Sequence, residues 1–308
     1  MAARVVEALG SAYVGLLPEA VSQVPIELAE RGRAKAREMG ADCLISIGGG
    51  ASIGLGKGIA LELALPIVAI PTTYSGSEMT GFCGITIAGV KRMHTSLNML
   101  ASTVIYDPEL SVTLPIDVSG ASAMNALAHC VDVAYVPTAS PLVTLAASEG
   151  ARAIVSGMRR VAADPSSVEA RAELLYGAYL GGAALTGGFA LQHGLAHTLG
   201  GSFGVAHGLS HALVLPHVAA YNSRFAPEAL GRIAAAMDTD DIGGTIFDLL
   251  RTLDLPTRLG DLGILKEQVP EIARITVETD NGLNPGPITT EAVSEIVMAA
   301  IEGRRPGA

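Results

Sequence analysis

The stretch CLISIGGGASIGLGKGIAL, residues 43–61, decides the reading of the amino-terminal part. Residues 43–47 form a short apolar run closed by Gly48, Gly49 and Gly50, the pattern of a buried parallel strand ending in a tight turn. Residues 51–63 follow with helical length. Glycines at such a turn let the backbone approach a pyrophosphate, and the next helix directs its N–H groups and positive dipole end at it. The spacing is neither GxGxxG nor a Walker A sequence, and by itself it serves a plain tight turn as readily as a phosphate site.

Working outward, residues 25–39 carry mixed charges at helical spacing and stop at Gly40. On the other side, residues 67–70 read as a second buried strand, followed by the polar loop TTYSGS at 72–77 and a further short strand at 103–106. Ligands of an open parallel sheet bind outside the carboxyl ends of its strands. Two polar or glycine-rich loops in succession there favour a nucleotide site. Beyond residue 115 the strand signal disappears, and helices are predicted over 118–135, 141–161, 167–186, 209–222, 227–237, 243–253, 266–276 and 290–301. The expected organisation is an α/β domain with a parallel sheet over 1–116 and an all-helical domain over 117–308, divided near 114–119.

Composition narrows the function. Of 308 residues, 49% are hydrophobic and 16% charged, which excludes intrinsic disorder. A net charge of −10, only 4% aromatics and no Trp argue against nucleic acid as a partner, and a small-molecule substrate is expected instead. Neither a secretory signal nor a membrane span is expected, because glycines and histidines interrupt every long apolar run. Three scattered cysteines, Cys43, Cys83 and Cys130, suit a reduced cytoplasm.

The charge deficit is concentrated. Residues 174–223, fifty in all, contain no Asp, Glu, Lys or Arg but hold His193, His197, His207, His211 and His217. His193/His197 and His207/His211 are spaced i, i+4, as are Asn125 and His129 on an earlier helix, so each pair shares a helix face and can point into one cavity. Histidines so grouped could bind a divalent transition metal or move protons, whereas any one of them alone reads as a hydrogen-bonded core residue.

Together the two loops, NALAH (125–129), HGLAHTLGG (193–201), AHGLSH (206–211) and LPHVAAYN (215–222) resemble the iron-containing alcohol dehydrogenase superfamily. GGGASIGLGKGIAL, IPTTYSGSEMT, TVIYDPELSVTLP and the tail EGRRP resemble its maleylacetate reductase branch. The resemblance, from about residue 4 to residue 306, implies a dehydroquinate synthase-like fold: a dinucleotide-binding domain, then a helical catalytic domain, with hydride transfer in the cleft between them. It implies an NAD(P)H-dependent oxidoreductase, acting on CH–OH or CH–CH groups, and a homodimer. Gly49, Gly50 and Ser52 would hold the pyrophosphate; Thr72, Thr73, Ser77 and Lys91 would contact the rest of the cofactor. The family's iron or zinc ligands, an Asp and three histidines, match Asn125, His129, His193 and His207, while His197 matches a histidine near the nicotinamide. His197, His129, His193 and His207 are therefore the candidate catalytic residues.

Three departures qualify that expectation. Asn125 stands for the metal-binding aspartate, as it does in maleylacetate reductases, and a neutral amide is a poor ligand, so a tightly held metal is not expected. Gly194 and Gly286 stand where those reductases carry Lys and Arg, which predicts a substrate less anionic than maleylacetate. Met1 already falls in what resembles the helix after the family's opening strand, so that strand is expected to be missing, with the residues that choose NAD or NADP. The alternative reading is a repurposed non-redox biosynthetic enzyme, a lyase, cyclase or isomerase, using the same histidines.

Overall fold

A computed structural model describes residues 1–307 of the chain. It divides into two units, Met1–Thr113 and Leu114–Ala308.

In the first unit, helices Ala2–Leu9 (α1) and Ile26–Glu38 (α2) precede the strand Leu44–Gly48 (β1), which runs directly into the helix Gly50–Leu63 (α3). The strand Ile67–Pro71 (β2) then pairs parallel to β1, with Leu44 opposite Ile67 and Gly48 opposite Pro71. An antiparallel hairpin follows, Phe82–Ile87 (β3) and Val90–Thr95 (β4), before the short strand Thr103–Val104 (β5) completes a parallel sheet of order β1-β2-β5. Ile53 and Ala60 of α3 pack with Ile67 and Ala69 of β2, while Leu55 and Ile59 meet Leu28 and Ala36 of α2. Each glycine costs an α-helix about 1 kcal/mol relative to Ala, yet α3 carries several where neighbours press close. A Cβ at Gly56 would come within 2.0 Å of Ser46 Oγ, and one at Gly54 within 2.8 Å of a Val24 methyl.

The hairpin interrupts the expected strand–helix alternation. Its two-residue loop, Ala88-Gly89, has φ of 49° and 77°, the left-handed pair that suits the twist of two antiparallel strands. Exposed polar positions along β4 dilute its apolar alternation.

The second unit is helical: Ile116–Val133 (α4), Pro141–Ala163 (α5), Val168–Ala184 (α6), Leu191–Ser202 (α7), His207–Asn222 (α8), Pro227–Ala236 (α9), Ile242–Thr252 (α10), Val269–Glu278 (α11) and Thr290–Glu302 (α12). Helices α4 and α8 are buried nearly all round, in keeping with the apolar and small residues that dominate both. Arg171 of α6 is wholly buried and fixes the start of α4, donating to Ser119 Oγ at 2.6 Å and to the Leu114 and Pro165 carbonyls at 3.0 Å. Those acceptors keep its buried guanidinium hydrogen-bonded. Among the described residues no single helix is long and apolar enough to cross a membrane; α6 with its extension to Gly187 and α7 reach that length only as a pair bent through 103°.

Candidate active site

The glycine turn of the first unit is built by close backbone approach. Gly48 has φ of 139°, a conformation that favours glycine, and its carbonyl accepts the Thr72 N–H at 3.0 Å, so the turns after β1 and β2 are tied together. A Cβ at Gly48 would meet Ser52 Oγ at 2.5 Å, one at Gly49 would meet Thr73 Cγ2 at 2.9 Å, and one at Gly50 would lie 3.7 Å from Ser75 Oγ. Helix α3 opens at Gly50 with no capping side chain among the described residues, which leaves its amino end to a ligand or to water. Gly49, Gly50, Ser52, Thr72 and Thr73 thus lie along two adjoining turns.

Ser77 and Lys91 are placed differently. Lys57, inside α3 and buried, donates to the Ser77 carbonyl, to Thr80 Oγ1 at 2.8 Å and to the Phe82 carbonyl at 3.0 Å, with Ser77 Oγ at 3.3 Å. Burial lowers the Lys57 pKa to about 8. This lysine secures the loop after β2 from beneath. Lys91 lies on β4 against Gly84, where a Cβ would come within 2.1 Å of Lys91 Cε, and burial lowers its pKa.

In the second unit α4, α7 and α8 bring five histidines together. His211 is central: its ring centroid lies 4.7 Å from those of His193 and His207, 6.0 Å from that of His197 and 6.4 Å from that of His129. His129 and His193 stack at 5.3 Å, and Phe189 closes one side, 5.4 Å from His193 and 6.1 Å from His197. His129, His193 and His211 are buried, whereas His197 and His207 are half-buried. Burial first, then the neighbouring imidazoles, hold His129 and His211 well below the usual histidine pKa, so both are neutral at working pH. His129 Nδ1, His193 Nε2 and His211 Nε2 are buried and without hydrogen-bond partners among the described residues.

Neutral imidazoles suit a divalent metal where their nitrogens converge. The ring nitrogens of His197, His207 and His211 lie within 4.8 Å of one another. The expected trio of His129, His193 and His207 is not the convergent one among the described residues. His193 is turned by its Nδ1 bond to Asp132, 2.7 Å long, and stacks on His129, so those two rings present faces rather than nitrogens to each other. The His197–His207–His211 set fits iron or zinc by donor type but includes no carboxylate.

The resemblance to the family does not point to His211, Asp132, Gln192 or Phe189, which the structure also places at the cluster. The i, i+4 spacing already paired His211 with His207. Asp132, three residues after His129 in an apolar helix, was the acid to look for. Gln192, wholly buried, donates to the His211 carbonyl at 3.2 Å. The two glycine departures also differ. A Cβ at Gly194 meets nothing within 4 Å among the described residues, whereas one at Gly286 would lie 2.5 Å from Phe225 Cδ2 and 2.9 Å from Tyr221 Cε1.

Residues 1–108 match the family described as iron-containing alcohol dehydrogenase, and residues 119–301 match the Fe-containing alcohol dehydrogenase family, C-terminal. The chain belongs to the iron-containing alcohol dehydrogenase family. It is 44% identical to a maleylacetate reductase of Burkholderia cepacia over 99% of this chain and 87% of that one, and 38% identical to one of Sphingobium indicum over 97% and 85%. The solved maleylacetate reductase of Rhizobium sp. strain MTP-10005 superposes with a TM-score of 0.94 at 36% identity, covering 99% of this chain and 87% of the other. An iron-containing alcohol dehydrogenase of Corynebacterium glutamicum gives 0.94 at 43% identity, covering 99% and 86%. As a member of this family the chain is an NAD(P)H-dependent oxidoreductase, and the non-redox alternative is not favoured.

Proposed function

We propose that this iron-containing alcohol dehydrogenase family member reduces a small carbonyl compound of the maleylacetate type, with a substrate carrying less negative charge than maleylacetate itself. The cofactor gives a hydride to the electrophilic carbon, a proton goes to the substrate, and NAD(P)+ leaves. Gly49, Gly50 and Ser52 would bind the pyrophosphate at the amino end of α3, where backbone N–H groups favour an anion. Thr72 and Thr73 would contact the cofactor from the adjoining turn, Ser77 and Lys91 from the loop and hairpin beyond it.

The observation that carries this reading is the set of buried ring nitrogens at His129, His193 and His211 that no described residue satisfies. An unsatisfied buried polar atom costs about 1–3 kcal/mol, so the cluster calls for a polar occupant. A carbonyl compound is such an occupant: its oxygen accepts hydrogen bonds and develops negative charge, and the alcohol it becomes donates one to an unprotonated ring nitrogen. His197, half-buried and therefore able to exchange with solvent, would be the proton donor or relay, with His129, His193 and His207 shaping the oxygen site.

Where iron or zinc is bound, His197, His207 and His211 would hold it, and it would supply Lewis-acid polarisation of the substrate oxygen. The absence of charged side chains at Gly194 and Gly286 supports the less anionic substrate.

The test is NADH and NADPH oxidation by the purified chain with maleylacetate and with neutral or monoanionic keto compounds. Turnover favouring the less charged compounds is expected. Efficient preference for maleylacetate would refute the substrate assignment, and no binding of either dinucleotide would refute the reductase.

A further inference from the structure

Asp132 lies on α4 one turn beyond His129, completely buried, and both of its carboxylate oxygens are engaged. Oδ1 accepts the Tyr135 hydroxyl. Oδ2 accepts the Ala190 N–H at 2.8 Å, the His193 N–H at 3.3 Å and His193 Nδ1 at 2.7 Å. Backbone amides only donate, so Oδ2 already acts as the acceptor of two hydrogen bonds. A ring nitrogen at that same oxygen must therefore carry its own hydrogen.

That fixes the other face of the ring. With the hydrogen on Nδ1, the tautomer this contact selects leaves the lone pair on Nε2, which is buried and has no hydrogen-bond partner among the described residues. Stacking on His129 and contact with Phe189 restrict rotation of the ring. His193 is thus held in one tautomer and one orientation, with an acceptor directed at whatever occupies the histidine cluster.

We propose that Asp132 is a positioning residue for the reduction, holding His193 as the Nδ1–H tautomer so that an unprotonated Nε2 faces the substrate. The proposal rests on the reductase reading for its kinetic consequence, but not for the tautomer itself. Oriented carboxylate–histidine pairs of this kind are general devices for fixing which ring nitrogen acts. Here the two backbone N–H groups make the device robust: an amide at position 132 would have to place its oxygen at the Oδ2 site and turn its NH2 toward Tyr135, whose hydroxyl can accept. The conservative Asp132→Asn change therefore preserves the tautomer, whereas Asp132→Leu removes the acceptor.

The experiment is 15N-histidine NMR of the full chain, read for the His193 tautomer, alongside steady-state kinetics of wild type, Asp132→Asn and Asp132→Leu. Wild type and Asp132→Asn should show the Nδ1–H signature, and Asp132→Asn should stay within a few-fold of wild-type kcat. Asp132→Leu should lose that signature and about 10–100-fold in kcat, on the scale of lost outer partners, with little change in KM for the dinucleotide. An Nε2–H signature in the wild type overturns the proposal, and so does an Asp132→Leu protein that keeps Nδ1–H or an Asp132→Asn protein that loses it. Should Asp132→Leu not fold, the wild-type and Asp132→Asn spectra still decide. A wild type with the Nδ1–H signature but no dinucleotide-dependent turnover would refute the reductase reading alone.

Discussion

Gly49 faces Thr73 across two adjoining turns so closely that a Cβ on the glycine would stand 2.9 Å from the threonine Cγ2. The threonine methyl occupies the space a side chain would need, so the backbone of the first turn stays bare. Gly49→Ala should push the turn after β2 away from the amino end of α3 and weaken dinucleotide binding about tenfold, corresponding to about 1.4 kcal/mol. Fluorescence titration with NADH checks this. Unchanged affinity in a folded variant would place the cofactor elsewhere.

Gly194 and Gly286 should respond oppositely to charge. Space is open around Gly194, and a helical Gly→Lys change gains about 0.5–1 kcal/mol in helix propensity. Gly194→Lys should therefore keep or raise the melting temperature and improve kcat/KM for dianionic over neutral substrates. Gly286→Arg must displace Phe225 and should cost about 1–3 kcal/mol in denaturant unfolding. Equal tolerance of both substitutions would mean that the aromatic pair at Tyr221 and Phe225 yields more easily than its packing suggests.

Much of this was legible in the sequence because it rested on local pattern. The 43–61 stretch carries its own strand, turn and helix, and α4 and α8 follow from apolar runs too long for strands. The hairpin was not legible, since Ala88-Gly89 is a weaker turn signal than Asn-Gly and β4 is mostly exposed. Helix α7 was obscured by Gly194, Gly200 and Gly201, which lower intrinsic propensity while tertiary burial supplies the stability. Spacing showed which histidines share a helix face. It could not show that Asp132 fixes the orientation of His193, because that depends on a contact between residues sixty-one apart.

Chelation tests the donor set. His197, His207 and His211 bring their ring nitrogens within 4.8 Å of one another but supply no carboxylate, and the proposed proton transfer through His197 needs no metal. Dialysis against a strong chelator should leave most of the turnover, and added Zn2+ should change it by less than about tenfold. Replacing Asn125 by Asp, which adds a buried carboxylate four residues from His129 on the same helix face, should raise metal content measured by elemental analysis. Loss of turnover on chelation, restored by metal alone, would show that the imidazoles suffice.

Acid should destabilise the protein through histidines that stay neutral when folded. Burial, with the nearby Arg304 charge, lowers His217 to about 4, and burial holds His129 and His211 well below 6.5. As pH falls below about 6.5 the unfolded chain takes up protons that the native state refuses, so stability present above that pH is lost. For His217 the loss continues to its folded value near 4 and amounts to about 3 kcal/mol in order of magnitude. Urea unfolding followed from pH 7 to pH 4 should show a falling midpoint. His217→Leu should flatten that fall by roughly one proton's worth, because Leu neither titrates nor leaves the unpartnered Nε2 of wild type in the core. An unchanged slope in the variant would mean that His217 takes up its proton in the native state as readily as in the unfolded chain.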